Sequence, residues 1–349
     1  MKKLVALAAI IAVSTMVFAA GKKEAASSGA NTNIDGKVVI YTSMYQDIID
    51  AIDAELEKQF PNCDVEFFYG GTGKLQAKIA AERESGKLGC DILMVAEPAY
   101  ALELNEAGLL HKYKTPEAAN LAFAYDADGA WYPVRICTMV LAYNPEKYTK
   151  GKDIPTTFKE FATDPRLTGY ISMSNPLTSG TAMASIVGLL DAYGEDYFKG
   201  LSKQKVAIES GSVALTKLET GECKEIMILE ESVLKKREEE GSKIECIYPD
   251  DGVLSCPSAI MTVDAKYSAN NNIPACEVLT DWFLSKEGQK AIVKGWMHAV
   301  RKDVDYTPYD SLPNDKVFAK TIDINWEKCY KERDVIRTMF EENVTIKKK

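Results

Sequence analysis

Short β-branched runs alternate with segments whose apolar residues repeat at helical spacing, and this alternation restricts the chain to an α/β fold. The first run, residues 37–42, precedes a helical pattern that ends at Phe60. Further strands are predicted at 65–69 and 91–95, with a helix between them that follows the turn at 70–73. A βαβαβ order of this kind predicts a parallel sheet with right-handed crossovers.

The same alternation resumes in the second half of the chain. Strands are predicted at 139–143, 170–174, 206–209 and 225–229, and helices at 181–193 and 212–219. At 349 residues the chain is long enough for two cores of ordinary size. The pattern therefore predicts two α/β lobes.

No Pro/Ser-rich linker separates the two halves. Tyr132 to Arg135 runs directly into a strand, and helical patterns after residues 258–263 return the chain to the first half. Two crossings make a hinge, and a hinge between α/β lobes makes a cleft that can close on a ligand. The predicted division assigns 36–134 and 260–305 to lobe 1, and 135–259 and 306–349 to lobe 2.

The N-terminus has the pattern of an export signal. Lys2 and Lys3 precede an apolar run from Leu4 to Phe18, and Ala19 supplies the small residue that a signal peptidase reads. We expect a signal peptide at 1–19 and a flexible tether at 20–35, which place the protein in the periplasm or on the outer face of the cytoplasmic membrane. Retention as an uncleaved anchor is the alternative.

Composition removes several functional classes. The 42 Lys and Arg stand against 51 Asp and Glu, a net charge of −9, and no basic stripe is interleaved with aromatics, so nucleic acid is not an expected partner. With only His111 and His298, a His-rich zinc site or a Ser-His-Asp triad has few possible members. No GxSxG, HExxH or DxDxDG motif is present, and no enzyme, metal or cofactor is predicted.

The eight cysteines are spaced too widely for a CxxC redox or zinc motif. An exported chain permits disulfides. Several cysteines lie in apolar strand-like runs, as Cys137 does, where the thiol behaves as a small hydrophobic group. Free buried thiols are favoured over a bonded set.

Four segments, taken in order, resemble the periplasmic solute-binding proteins of ABC importers, in the subgroup of ferric-ion-binding proteins and their relatives for phosphorylated sugars, phosphonates and thiamine. The segments are residues 39–43, 175–181, 212–215 and 282–289. The resemblance implies a two-lobed fold that closes on its ligand. It also implies a monomer that delivers a small anionic organic solute to a membrane permease and its ATPase.

The iron-binding members of that group hold the metal through two adjacent tyrosines that follow a Gly-Glu pair, a strand and a turn. In this chain Gly221-Glu222 is followed by Glu231 and Ser232 at the corresponding positions. Tyr45 stands near the first strand, where those proteins place a histidine. The tyrosinate iron site is therefore mostly missing.

An anion cradle remains at the start of a predicted helix. Ser179, Gly180 and Thr181 offer backbone N–H groups and two hydroxyls, and the peptide dipoles of the helix add positive potential there. The alternative is that Ser179 only caps the helix. Gly211 and Ser212 repeat this arrangement at a second helix start, and two such ends facing one cleft could hold one phosphate.

Other candidates surround this cradle. Thr42 and Ser43 follow the first strand, where open α/β sheets bind ligands. Thr72 and Gly73 lie in a third turn, which could bind phosphate. A simple flexible turn is an equally good interpretation, because the segment lacks the P-loop spacing. Arg135 could clamp an oxyanion with its fork of donors, or form a salt bridge between lobes.

Three carboxylates favour a ligand that is not anionic throughout. Glu97, Glu230 and Glu231 could accept hydrogen bonds from ligand hydroxyls, which indicates a charged head and a polyol or amine body. For Glu231 the alternative is a first-turn helix residue favoured by the dipole.

The sequence thus predicts capture of a small phosphorylated organic solute, a sugar phosphate or a phosphonate, by lobe closure. One alternative is ferric ion held with a bound anion, using Glu97, Glu231 and Tyr45. An exported enzyme is a third hypothesis.

Overall fold

Nine strands form one connected sheet in the computed structural model, which describes residues 33–345. The predicted signal peptide and residues 20–32 of the predicted tether lie outside the described residues. The strands are β1 (Gly36–Thr42), β2 (Cys63–Tyr69), β3 (Ile92–Ala96), β4 (Tyr132–Tyr143), β5 (Ile171–Ser174), β6 (Ala207–Glu209), β7 (Glu225–Leu229), β8 (Glu245–Ile247) and β9 (Leu254–Thr262).

Helices cover both faces of this sheet in the order that the alternation predicts. They are α1 (Gln46–Gln59), α2 (Thr72–Glu84), α3 (Pro98–Glu106), α4 (Phe158–Phe161), α5 (Gly180–Tyr193), α6 (Glu195–Lys203), α7 (Gly211–Thr220), α8 (Glu230–Glu240), α9 (Ile273–Leu284), α10 (Lys286–Lys294), α11 (Asn314–Val317), α12 (Trp326–Lys331) and α13 (Arg333–Phe340). Helix α1 buries Ile48, Ile49, Ile52 and Leu56 on one stripe, as its apolar spacing requires. Within residues 33–345, no helix is both long and apolar enough to span a bilayer.

The sheet is mixed, whereas the sequence predicted parallel strands. The strand order is β2-β1-β3-β9-β4-β7-β5-β6, and β8 pairs with β4. Strand β1 is parallel to β2 and β3, and β5 is parallel to β6 and β7, so the prediction holds on both sides. It is wrong in the centre, where β9 is antiparallel to β3 and β4, and β4 is antiparallel to β7. The reason is that β4 leads the chain from the first group of parallel strands to the second, and β9 leads it back.

Strands β4 and β9 lie side by side through the middle of the sheet. All twelve residues of β4 are buried, and the pairing runs from Tyr132 opposite Ile260 to Met139 opposite Leu254. The register shifts between Pro133 and Arg135, next to a proline that has no N–H to donate. The predicted lobe boundaries at 134/135 and 259/260 fall inside these two strands.

Apolar side chains form separate clusters, and the first and last parts of β4 belong to different ones. One cluster contains Ile40, Ile52 and Phe283 from β1, α1 and α9. Another contains Phe198 of α6 and Phe340 of α13. Separate cores of this kind are expected of two lobes that each fold around their own interior.

The eight cysteines are free thiols, in agreement with the interpretation from sequence. Cys137 and Cys256 lie opposite each other in the pairing of β4 with β9, and both are buried. Burial raises the pKa of Cys137 to about 12, even though Arg135 lies nearby. These thiols therefore pack as small apolar groups.

Candidate functional site

Arg135 is a buried cation at the centre of the sheet, with 2% of its surface exposed. Its Nη1 lies 3.4 Å from Glu231 Oε1 and 2.8 Å from Met297 Sδ, and its Nη2 donates to Ser43 Oγ over 3.3 Å. Its Nε has no hydrogen-bond partner among residues 33–345. A guanidinium has five N–H donors, and buried donors are nearly always satisfied. The two contacts of Arg135 with oxygen atoms are therefore long, and one of its donors is unused.

Ser258 of β9 is a second buried polar group that can form a further hydrogen bond. It pairs with Arg135 on one side and with Ala96 on the other, so the three side chains share one face of the sheet. Ser258 is fully buried, and its Oγ has no partner in the described part of the chain. Because neighbouring strands lie ~4.8 Å apart, the row from Ala96 to Arg135 spans about 10 Å. Sequence reasoning missed Ser258, because its position depends on the register of β9.

The end of β1 reaches across to the start of α8. Thr42 is buried and its Oγ1 accepts from the Met44 N–H over 3.2 Å. Tyr45 Oη lies 3.2 Å from Ser232 Oγ, and burial raises the pKa of Tyr45 to about 12. The predicted residues Ser43, Tyr45, Arg135 and Glu231 therefore come together in one cluster. Ser232 joins them as a residue that the sequence did not single out for binding.

Glu231 is a first-turn helix residue, as one of the two interpretations from the sequence has it. It lies in the first turn of α8, next to the N-terminal end of the helix, and it pairs with Arg135. Burial raises the pKa of Glu231 to about 7, although the charge of Arg135 acts in the opposite direction. Its carboxyl group therefore changes charge near neutral pH.

Glu230 forms hydrogen bonds with other side chains of the protein. Its carboxylate accepts from Tyr248 Oη over 2.6 Å, lies 2.8 Å from His298 Nε2, and bonds Ser311. Burial opposes ionisation of Glu230, but the hydrogen bonds from these partners lower its pKa below the usual range. For His298 burial acts against the charged form, yet Glu230 raises its pKa. Sequence reasoning noted His298 only as one of two histidines.

Glu97 belongs to a different network. It immediately precedes α3, is 1% exposed, and accepts from Gln76 Nε2 over 2.8 Å and from Arg333 Nη2 over 2.7 Å. Burial raises the pKa of Glu97, partly offset by the charge of Arg333. The side-chain partners of Glu97 and of Glu231 have no residue in common. Among residues 33–345, no three His, Cys, Asp or Glu side chains are arranged to hold a metal ion.

The start of α5 confirms the capping interpretation of Ser179. Its Oγ accepts from the Ala182 N–H over 3.3 Å and lies 3.1 Å from Thr181 Oγ1. Gly180 allows another part of the chain to approach closely. A Cβ at Gly180 would lie 2.6 Å from the carbonyl oxygen of Ala96 and 2.9 Å from Thr72 Cβ.

The starts of α2 and α5 thus lie against each other. Thr72 is the first residue of α2 and is buried, and a Cβ at Gly73 would lie 3.2 Å from the Thr178 carbonyl oxygen. The predicted turn at 70–73 is therefore a helix start that contacts the α5 cradle.

The second cradle differs from its prediction. Helix α7 begins at Gly211, and its cap is Ser210, whose Oγ accepts from the Val213 N–H over 3.4 Å. Ser212 lies one residue inside the helix and is exposed, with Oγ 3.1 Å from Ser210 Oγ. The prediction that Ser212 repeats the position of Ser179 is wrong by two residues, because Ser210 supplies an equally good capping hydroxyl.

Comparison with known proteins identifies the family. Residues 51–307 match the model of the bacterial extracellular solute-binding proteins. An uncharacterised protein from Haemophilus influenzae is 26% identical over 294 residues, which cover 80% of this chain and 81% of that protein.

Three solved structures share the fold. AfuA, a periplasmic binding protein from Actinobacillus pleuropneumoniae with exogenous fructose-6-phosphate bound, has a TM-score of 0.76 and 22% identity, covering 90% of this chain and 100% of AfuA. Iron-bound HitA from Pseudomonas aeruginosa has a TM-score of 0.74 and 22% identity, covering 88% and 99%. A periplasmic thiamin binding protein has a TM-score of 0.71 and 16% identity, covering 89% and 96%.

These matches agree with the α/β architecture and with the resemblance found in the sequence. The chain belongs to the bacterial extracellular solute-binding proteins, and it has the two-lobed periplasmic-binding-protein fold that AfuA, HitA and the thiamin binding protein share.

Proposed function

We propose that this protein captures a small phosphorylated organic solute, such as a sugar phosphate or a phosphonate, by closure of its two lobes. The observation that carries the proposal is that Arg135 Nε and Ser258 Oγ, on the same buried face of the sheet, have no hydrogen-bond partner in the described part of the chain. A phosphoryl group presents several acceptor oxygens, which match the fork of guanidinium donors and can also accept from a hydroxyl.

The proposal uses the two lobes that were predicted from the sequence. Lobe 1 comprises 36–134 and 260–305, and lobe 2 comprises 135–259 and 306–349. Ser43 and Tyr45 then contact Arg135 and Ser232 across the cleft. A head group bound at Arg135 would touch both lobes, and this contact would favour the closed arrangement.

The body of the ligand would extend along the sheet toward the starts of α2 and α5. That end of the row carries the hydroxyls of Thr72 and Thr181, together with the N-terminal N–H groups of two helices. Hydroxyls and amide donors suit a polyol better than an apolar body. AfuA, whose structure contains fructose-6-phosphate, supports a sugar phosphate as the first probe.

Thermal unfolding with three probes tests the proposal. A ligand at 100 times its Kd stabilises the bound protein by ~2.7 kcal/mol. For domains of 150–250 residues, each kcal/mol raises Tm by about 2–4 °C. Fructose 6-phosphate should therefore raise Tm by several degrees, while fructose and inorganic phosphate should raise it much less.

Two results would contradict the proposal. An equal shift with fructose would remove the phosphoryl group from recognition. Tight, stoichiometric binding of ferric ion, together with no shift from any sugar phosphate or phosphonate, would favour the iron alternative.

A further inference from the structure

Glu231 occupies the position beside Arg135 that an anionic head group would need. Its Oε1 lies 3.4 Å from Arg135 Nη1, and the two side chains are 4% and 3% exposed. A carboxylate here acts as an internal counter-ion of the guanidinium. A second anion brought to Arg135 would meet both the attraction of the guanidinium and the repulsion of this carboxylate.

His298 does not provide a further cation for the ligand. His298 is paired with Glu230 at 2.8 Å, so its charge is balanced within that pair. With Arg135 and His298 cationic and both glutamates ionised, the cluster is neutral overall. An added phosphoryl dianion would then leave two uncompensated negative charges in a buried site, which is strongly unfavourable, and each proton taken up removes one of them.

We propose that the phosphoryl head group binds Arg135 together with one proton, which Glu231 takes up from solvent. The inference rests on the proposed function. The proton adds to a carboxylate oxygen of Glu231, and no other bond forms or breaks. Glu231 thereby changes from an acceptor that competes for Arg135 into an O–H donor that bonds the phosphoryl oxygen.

The surroundings of Glu231 keep the free energy of this protonation small. The pKa of Glu231 is already raised to about 7 by burial, so near neutral pH the proton is added at little cost. Charged and titratable groups face Glu231 from strand β4, from the segment before α1, from the segment after α10 and from its own helix. These groups are Arg135, Cys137, Tyr45, His298 and Glu230.

Three of these groups keep the same charge near neutral pH. The pKa values of Tyr45 and Cys137 are raised to about 12, so both stay neutral at pH 8. Arg135 stays charged, and its pKa is raised. The contact between Glu230 and His298 lowers the pKa of Glu230 and raises that of His298, so each favours the ionised form of the other.

Calorimetry with fructose 6-phosphate at pH 8 tests the inference. Titration in two buffers of different ionisation enthalpy gives the number of protons taken up on binding. At this pH a phosphate monoester is a dianion, because its second pKa is ≈ 6. We expect uptake close to one proton in the wild-type protein and none in the Glu231→Gln variant, whose amide cannot ionise.

The affinities give a second readout. One pH unit above a pKa of about 7, the wild-type protein must protonate a group that is mostly ionised. Glu231→Gln avoids this step, so at pH 8 it should bind fructose 6-phosphate roughly 10-fold more tightly than the wild type. At pH 6 the two should differ by less than about 2-fold. Glu239→Gln, the same change at an exposed position of α8, is the matched control.

The outcomes separate the inference from the proposed function. Binding without proton uptake in the wild type, or with equal uptake in Glu231→Gln, would overturn the inference and leave the proposed function standing. Failure of fructose 6-phosphate and of other phosphorylated probes to bind either protein at pH 6 would overturn both. Absence of proton uptake in the wild type would overturn the inference even if the variant folds poorly.

Discussion

His298 Nε2 lies 2.8 Å from Glu230 Oε2, and each side chain is 1% exposed. This pair ties the segment after α10 to the first turn of α8. Asn314 contacts the other ring nitrogen of His298 at 2.8 Å, so the C-terminal part of the chain joins the same network. The network lies directly beside Glu231, and its integrity fixes the position of the residue that pairs with Arg135.

Replacing Glu230 with glutamine should destabilise the protein substantially. Removing one partner of a buried ion pair leaves the other charge uncompensated, a loss of about 3–5 kcal/mol. Urea unfolding measures the change. Glu277→Gln is the matched control, because it removes the partner of His111 at the same 2.8 Å distance in a half-exposed pair. The control should lose only about 0–1 kcal/mol, and equal losses would contradict the prediction.

The Glu230–His298 pair should stabilise the fold within a defined pH window. The pKa of Glu230 is lowered, so its contribution is complete above the ordinary value of 4.5 and is lost as pH falls through the folded-state pKa. The pKa of His298 is raised, so its contribution is complete below 6.5 and is lost as pH rises through the folded-state pKa.

The difference in Tm between wild type and Glu230→Gln should therefore be largest between about pH 4.5 and 6.5 and shrink on both sides. Scanning calorimetry across pH 4–9 measures this difference. A difference that does not change with pH would show that the pair is not ionised in the folded protein.

Replacing Arg135 with lysine should weaken binding of fructose 6-phosphate while keeping a positive charge at the site. An ammonium group cannot reproduce the planar fork of donors that matches a phosphoryl group. Loss of a hydrogen bond to a charged group costs about 1.5–3 kcal/mol, which corresponds to a roughly 10- to 150-fold weaker Kd. Calorimetry at pH 6 measures it.

Arg166→Lys serves as the control, because Arg166 pairs with Asp164 at the protein surface. It should leave the Kd unchanged. An unchanged Kd in Arg135→Lys as well would remove the guanidinium from the binding site.

The strands and helices could be predicted from the sequence because the spacing of apolar residues within each of them is a local signal. Strand β7 was predicted with its observed ends, and α5 and α7 within one residue of theirs. The direction of β9 was not predictable in the same way, since pairing with β3 and β4 depends on how the chain returns. Register determines which residues flank Arg135, and for this reason Ser258 was missed.

The roles of the carboxylates illustrate the same limit. In the fold Arg333, which is 236 residues away in the chain, bonds the carboxylate of Glu97, a partner that the sequence did not indicate. Glu230 and Glu231 are adjacent in sequence, but Glu230 contacts His298 and Glu231 contacts Arg135. Adjacent residues of a helix point in different directions, and the partners on each side come from distant segments.

Replacing Gly180 with alanine should weaken ligand binding more than it lowers stability. The new Cβ would lie 2.6 Å from the Ala96 carbonyl oxygen, a backbone atom that cannot turn aside. In the proposed division Ala96 belongs to lobe 1 and Gly180 to lobe 2, so the clash opposes closure of the cleft. Overpacking of this kind costs about 1–3 kcal/mol.

We therefore expect a roughly 5- to 150-fold weaker Kd for fructose 6-phosphate in Gly180→Ala, with a smaller change in urea unfolding of the protein without sugar phosphate. Gly71→Ala is the matched control, because its Cβ would meet only the Thr178 carbonyl oxygen, at 3.7 Å, an ordinary contact. If Gly180→Ala lowers stability as much as it lowers affinity, the contact persists when the cleft opens, and α5 and β3 belong to one rigid body. If neither changes, the close approach of Gly180 to Ala96 is not a feature of the bound protein.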